Sequence, residues 1–98
     1  MNKYTGLLGL AAASRSIVIG ETIIKTIRNG QCKYVVIAND ASDNTKKRFI
    51  DKCTYYHVMY GFIESSEELS IAVGKNNIKA IGITNQGFAK KMNEILKG

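Results

Sequence analysis

The sequence predicts an α/β fold: a three-layer α/β/α sandwich built on a mixed sheet of about four strands. Three observations carry this. Stretches with apolar residues every three or four positions alternate, from one end of the chain to the other, with short runs rich in β-branched residues. One of those runs, Tyr34-Val35-Val36-Ile37-Ala38, is apolar without a break, as a strand covered on both faces must be. The chain has 98 residues, 45% of them apolar, enough for one packed domain over residues 1–98 but not for two.

The elements follow in order. Tyr4, Leu7, Leu8, Ala11 and Ala12 form one apolar stripe of a first helix. Residues 16–19, Ser-Ile-Val-Ile, read as a short strand that Gly20 breaks. Ile23, Ile24 and Ile27 are the buried side of a second helix, with Glu21, Lys25 and Arg28 on its other face. Asn29-Gly30 ends that helix with residues that tolerate the left-handed region. After the strand at 34–38 comes a polar loop, Asn39 to Asn44, in which Ser42 or Asp43 can cap a third helix carrying Phe49, Ile50 and Cys53 inward. Residues 58–63 are the third strand. Ser65 with Glu68 fits a capping box for a short helix that buries Leu69, Ala72 and Val73 and stops at Gly74. Residues 78–83 are the last strand, and Thr84 or Asn85 caps a final helix with Phe88, Met92, Ile95 and Leu96 inward.

The balance of charge points to the kind of partner. Fourteen Lys and Arg against eight Asp and Glu leave +6 on a small chain, which attracts polyanions. Five basic residues (Lys3, Arg15, Lys25, Arg28, Lys33) face one acid, Glu21, before Asn39, and Lys46-Lys47-Arg48 with Lys52 adds more. No proline is present, so a Pro-rich ligand segment is excluded. Cys32 and Cys53 form no CxxC, and no third ligand accompanies Cys53 and His57, so neither a metal site nor a cofactor is expected. The apolar stretch Leu7–Ala13 is too short to span a membrane, and Ser14-Arg15-Ser16 interrupts it. A cytoplasmic chain with no signal peptide is the expectation.

The strongest candidate site is the junction Gly20-Glu21-Thr22. A glycine between strand and helix lets another backbone approach closely, and the helix start offers N–H groups to phosphate or base oxygens. Lys25 and Arg28 extend from the same helix. By spacing alone, a plain strand-helix turn with a solvated polar face is the more ordinary explanation. The run Lys46-Lys47-Arg48 is by itself a solvated face, and supports polyanion binding only if it lies beside Lys25. Cys53 and His57 have the spacing of a thiolate-imidazole pair, but Cys53 falls on the inward stripe, where a cysteine acts as a small hydrophobe. Tyr34, Tyr55, Tyr56 and Tyr60 could stack on bases and are better read as core or strand residues. No GxxxxGK[ST], GxGxxG or GxSxG occurs.

Four segments carry a family resemblance: Leu7-Leu8-Gly9-Leu10-Ala11; Val36 through Ser42 with Asn44-Thr45-Lys46-Lys47; Asp51-Lys52-Cys53 with Tyr55-Tyr56; and Asn85-Gln86-Gly87-Phe88-Ala89-Lys90-Lys91. In order and spacing the chain resembles the kink-turn-binding ribosomal protein superfamily, and within it the short bacterial members of the YlxQ type. The resemblance implies an α/β/α sandwich and recognition of a sharply bent RNA loop. In that family a Gly-x-Asn-Glu stretch at a strand-helix junction reads sheared G·A pairs, a lysine follows, and a second loop packs against an extruded nucleotide. Anchoring on Lys25 and Gly30 places the first motif on Ile19 to Thr22; anchoring on Gly20 places it on Gly20 to Ile23. Neither register reproduces Asn-Glu. The second loop falls on Ile63-Glu64-Ser65-Ser66, and Asn39-Asp40 borders the same face.

The expectation is therefore an RNA-binding protein for structured, kink-turn-type RNA, ribosomal or translation-related, with no small-molecule substrate and no catalytic role. Its site is Gly20, Glu21, Thr22, Lys25, Arg28, Lys33, Asn39, Asp40, Ile63, Glu64, Ser65 and Ser66, with Lys25, Arg28 and Lys33 on phosphates. A protein-interaction module on the ribosome or an assembly factor is the competing reading, and an enzyme using Cys53 and His57 a third.

Overall fold

The computed structural model describes residues 3–96, with only the backbone of Lys3. Met1, Asn2, Lys97 and Gly98 of the expected 1–98 domain, and the side chain of Lys3 counted among its cations, lie outside the described residues. Among the described residues nine elements alternate: α1 (Lys3–Ala13), β1 (Ile17–Val18), α2 (Glu21–Arg28), β2 (Tyr34–Ala38), α3 (Asp43–Tyr56), β3 (Met59–Ile63), α4 (Ser66–Val73), β4 (Ala80–Ile83) and α5 (Gln86–Leu96).

The sheet runs β1-β4-β2-β3 and is mixed: β4 is antiparallel to both β1 and β2, and β2 is parallel to β3. All of β2 is buried, as its apolar run requires, and its side chains alternate between two cores. Tyr34 and Val36 join Leu8, Leu69, Val73, Ala89 and Met92 from α1, α4 and α5. Val35 and Ile37 join Ile23, Ile24, Ile27, Phe49 and Cys53 from α2 and α3. The three layers expected are those observed.

β2 has the expected bounds, and the other three strands are shorter than the sequence pattern suggests, for local reasons at their starts. α1 ends in a Schellman motif with Arg15 left-handed (φ 59°): Ser16 N–H donates to Ala11 O at 2.8 Å and Arg15 N–H to Ala12 O at 3.1 Å. The Ser16 N–H is thus committed to the helix end, while its carbonyl still accepts from Thr84 N–H at 2.8 Å, and β1 begins at Ile17. α3 ends the same way at left-handed His57, with Val58 N–H donating to Cys53 O at 2.8 Å, so β3 begins at Met59. At β4 the Ser70 hydroxyl accepts from Ile78 N–H at 2.8 Å, and the strand starts at Ala80. Of the alternative caps, Ser42 accepts from Thr45 N–H at 3.2 Å and Asn85 from Phe88 N–H at 3.0 Å. Ser65 accepts from Glu68 N–H at 3.1 Å, while the Glu68 carboxylate accepts from the Tyr4 hydroxyl of α1.

Candidate functional site

Topology gathers the candidate segments. Because β1 and β2 are both antiparallel to β4, they run the same way, and β3 runs with β2. The three loops leaving their C-terminal ends therefore emerge at one end of the sheet, at Ile19-Gly20, at Asn39 to Ser42 and at Glu64-Ser65. Each leads into a helix, so α2, α3 and α4 all start there, with the positive ends of their dipoles toward the same region.

The three helix starts differ. Ser42 and Ser65 cap α3 and α4 with their side chains, whereas Gly20, which precedes α2, has none to offer. Gly20 sits at φ 60°, ψ −142°, a backbone conformation essentially reserved for glycine, and its carbonyl accepts from Ile23 N–H at 3.1 Å. The first amides of α2 are thus left without a side-chain acceptor at the surface. Glu21 and Thr22 are exposed, and neither the Thr22 hydroxyl nor the Lys25 ammonium has a partner among the described residues.

Glu21, the awkward residue for an anion site, is already neutralised. Arg48 of α3 donates to both of its carboxylate oxygens, at 2.5 and 2.6 Å. That hydrogen bond, followed by the charges of Arg48 and Arg28, holds the Glu21 carboxyl below the usual range. Of the run Lys46-Lys47-Arg48, the pair brings Arg48 to the start of α2, whereas Lys47 pairs with Asp51 of its own helix at 3.3 Å.

Asp40 has a structural task. It accepts from Ser66 N–H at 2.8 Å and from the Ser66 hydroxyl at 3.1 Å, binding the β2–α3 loop to the start of α4. Asn39 N–H donates to Ile63 O at 2.8 Å, extending the pairing of β2 with β3 beyond the strand ends. Ser65 and Ser66 are half-buried and engaged; Glu64 is exposed. Ile63, placed by the resemblance in a nucleotide-facing loop, is 2% exposed and packs in the core, which takes its side chain out of reach of a ligand. Lys33 is not brought to this cluster. It precedes β2, at the opposite end of the sheet, and donates to Gly30 O at 2.9 Å.

Two features at this end were not singled out in the sequence. Lys79 donates to the Ser66 hydroxyl at 3.1 Å. With Ile19, Gly20, Ile23, Phe49 and Ile78 it also lines a mostly apolar recess of about 290 Å³ beside the start of α2. A lysine just ahead of the last strand is the only signal that pointed to it. By contrast, Cys53 is fully buried and burial, then the neighbouring Cys32, pushes its thiol up to about 12, while His57 is exposed. A protonated thiol inside the core is no nucleophile. Among the described residues no cluster of His, Cys, Asp and Glu could hold a metal, and no helix is long and apolar enough to cross a membrane.

Comparison with known proteins agrees with this architecture. The family model described as "Ribosomal protein L7Ae/L30e/S12e/Gadd45 family" matches residues 2–93. The chain is 45% identical over 91 residues to the RNA-binding protein YlxQ of Bacillus subtilis, covering 92% of this chain and 91% of that one. It is 42% identical over 97 residues to the RNA-binding protein YlxQ of Enterococcus faecium, covering 98% and 93%. These relatives are named for RNA binding and not for a catalytic activity. A solved structure of a protein of unknown function from Bacillus halodurans superposes with a TM-score of 0.95 at 33% identity over the whole of both chains. A Giardia lamblia 15.5kD RNA binding protein shares the fold, with a TM-score of 0.79 at 23% identity over 95% of this chain and 81% of that one.

Proposed function

Since the chain belongs to the L7Ae/L30e/S12e/Gadd45 family of ribosomal proteins, we propose that it acts as one RNA-binding domain that recognises structured, kink-turn-type RNA, ribosomal or translation-related, in the cytoplasm. The observation that carries this reading is the start of α2. It has no side-chain cap, it lies beside an acid already paired with arginine, and Lys25 follows on the same helix. An uncapped helix start draws phosphate or base oxygens through its open N–H groups and its dipole. Lys25 and Arg28 contribute phosphate contacts, which set affinity, while base contacts set specificity.

Base readout rests on fewer groups than the Asn-Glu pair of the wider family. Here the Thr22 hydroxyl and the first amides of α2 meet the base edges, and the recess lined by Ile19, Ile23, Phe49 and Lys79 takes an unstacked base. Glu21 reaches a base amino group only by sharing its carboxylate with Arg48. The test is a titration of the purified chain against labelled kink-turn RNA at several salt concentrations. The association constant is expected to fall with salt, log K against log [salt] having a slope of roughly minus one for each phosphate neutralised; an association indifferent to salt overturns the reading.

One observation favours a second reading, a protein-interaction surface. Tyr55, Met59 and Tyr60 are 74%, 55% and 36% exposed around the end of α3 and the start of the edge strand β3, away from the α2 start. A pulldown on this chain that survives nuclease treatment and fails with Tyr55→Ser/Met59→Ser supports it; complete loss on nuclease treatment removes it.

A further inference from the structure

A second basic feature lies on the flank of the molecule, outside the cluster just described. β1 is an edge strand, and its residues Ile17 and Val18 line concave surface. Two adjoining concave regions of about 460 and 560 Å³ lie there, with Val18 and Thr22 lining both; together they are the β1-edge groove. It runs from Arg15 and Lys75, past Val18 and Thr22 at the start of α2, to Lys33 beyond the end of α2. Arg15 and Lys75 line the first region and Lys33 the second, and no acidic residue lines either. None of these three cations has a carboxylate partner among the described residues.

Each cation follows a helix end. Arg15 is the left-handed residue that closes α1, Lys75 follows the left-handed Gly74 that closes α4, and Lys33 lies past α2. The chain thus gathers three positive charges around a trough whose floor is the edge strand, with hydroxyls at Thr22 and Thr84. A concave trough with basic walls fits a strand of phosphates better than a flat anionic surface. Its length fits too. The stretch along α2, eight residues long and so roughly 12 Å, has room for about four phosphates of one strand at ~3.4 Å of axial run each.

We infer that this β1-edge groove seats the phosphate backbone of an RNA segment flanking the one met at Gly20-Glu21-Thr22, with Arg15, Lys33 and Lys75 as its contacts. The inference rests on the proposed RNA reading and deepens it: the RNA passes the start of α2 and continues down the side of the protein. Lys33, which the cluster at the loop end leaves out, then has a place. Cations at helix ends also complement the helix dipoles, but that role affects stability alone, so binding and melting must be read separately.

The experiment compares the full chain with the variant Arg15→Gln/Lys33→Gln/Lys75→Gln. Two RNAs are used: a kink-turn with long flanking helices, and the same kink-turn trimmed to its core. On the long RNA the variant is expected to bind at least tenfold more weakly, with a salt slope shallower by about two to three. On the trimmed RNA, variant and wild type should bind alike. Unchanged affinity and slope on the long RNA overturn the groove, whether or not the variant melts lower. An equal loss on both RNAs also overturns it, because the contacts would then belong to the kink itself. Failure of the underlying reading looks different: the wild-type chain would then bind a fully Watson–Crick-paired duplex as tightly as the kinked RNA, and the groove inference would fall with it.

Discussion

A carboxylate on a phosphate-binding surface lowers affinity unless a cation is already paired with it, and Glu21 has Arg48 at 2.5–2.6 Å. Arg48→Ala should therefore weaken RNA binding by more than the loss of one phosphate contact, because it also exposes the Glu21 charge. Adding Glu21→Gln in that background should recover most of the difference, and a double-mutant cycle measures the coupling. Additive effects would show that the pair is irrelevant to binding. Gly20 can be tested independently of RNA. A Cβ there meets nothing within 4 Å, so Gly20→Ala reports backbone strain alone. The cost should be about 1–3 kcal/mol in chemical denaturation, with any loss of binding following from the displaced start of α2. Thr22→Ala and Lys25→Ala separate readout from charge. Lys25→Ala should weaken every RNA to a similar degree, whereas Thr22→Ala should act mainly on the kinked one.

At the scale of elements, the helix caps divide structural from functional starts. Ser65→Ala removes the side-chain acceptor at the start of α4 and should cost roughly 1 kcal/mol in a denaturant melt, with little effect on RNA affinity. The elements themselves were legible because their signals are local: β-branched runs for strands, a 3.6 period for helices, and Gly30 and Gly74 at two helix ends. The strand ends were not legible. Arg15 and His57 close α1 and α3 in the left-handed region, where glycine is usual, so nothing in their identity announced a Schellman motif that takes the N–H groups of Ser16 and Val58. Site residues divided along the same line. Gly20, Glu21, Thr22 and Lys25 are neighbours in sequence and could be read together. The Glu21–Arg48 and Asp40–Ser66 pairs join residues 27 and 26 positions apart, which no local pattern reveals. In sequence Ile63 reads as the end of the third strand and has a site role only by the resemblance, and Lys33 groups with the phosphate contacts, because sequence order does not tell which side chain turns inward or which end of a strand a residue occupies.

For the molecule as a whole, charge and burial set the response to solution conditions. Tyr34 and Cys53 are enclosed in the two cores, and burial raises both to about 12 from ordinary values of 10.0 and 9.0. A group bound more tightly to its proton in the folded state supports folding below its unfolded pKa and loses that support as pH rises through the folded value. Stability should hold up to about pH 9 and fall between there and pH 12. A melting temperature that stays flat across that window would show that the two groups ionise without unfolding. The excess charge of +6 acts on association: it draws any polyanion, so affinity for RNA alone does not test recognition. The discriminating measurement is a gel shift of the purified chain with a kink-turn RNA and with a control of the same length and helices in which the sheared G·A pairs are replaced by Watson–Crick pairs. If the start of α2 reads the kink, the kinked RNA is bound at least tenfold more tightly at the same salt concentration; equal affinity for the two would reduce the protein to a basic surface and contradict readout of the kink by the start of α2.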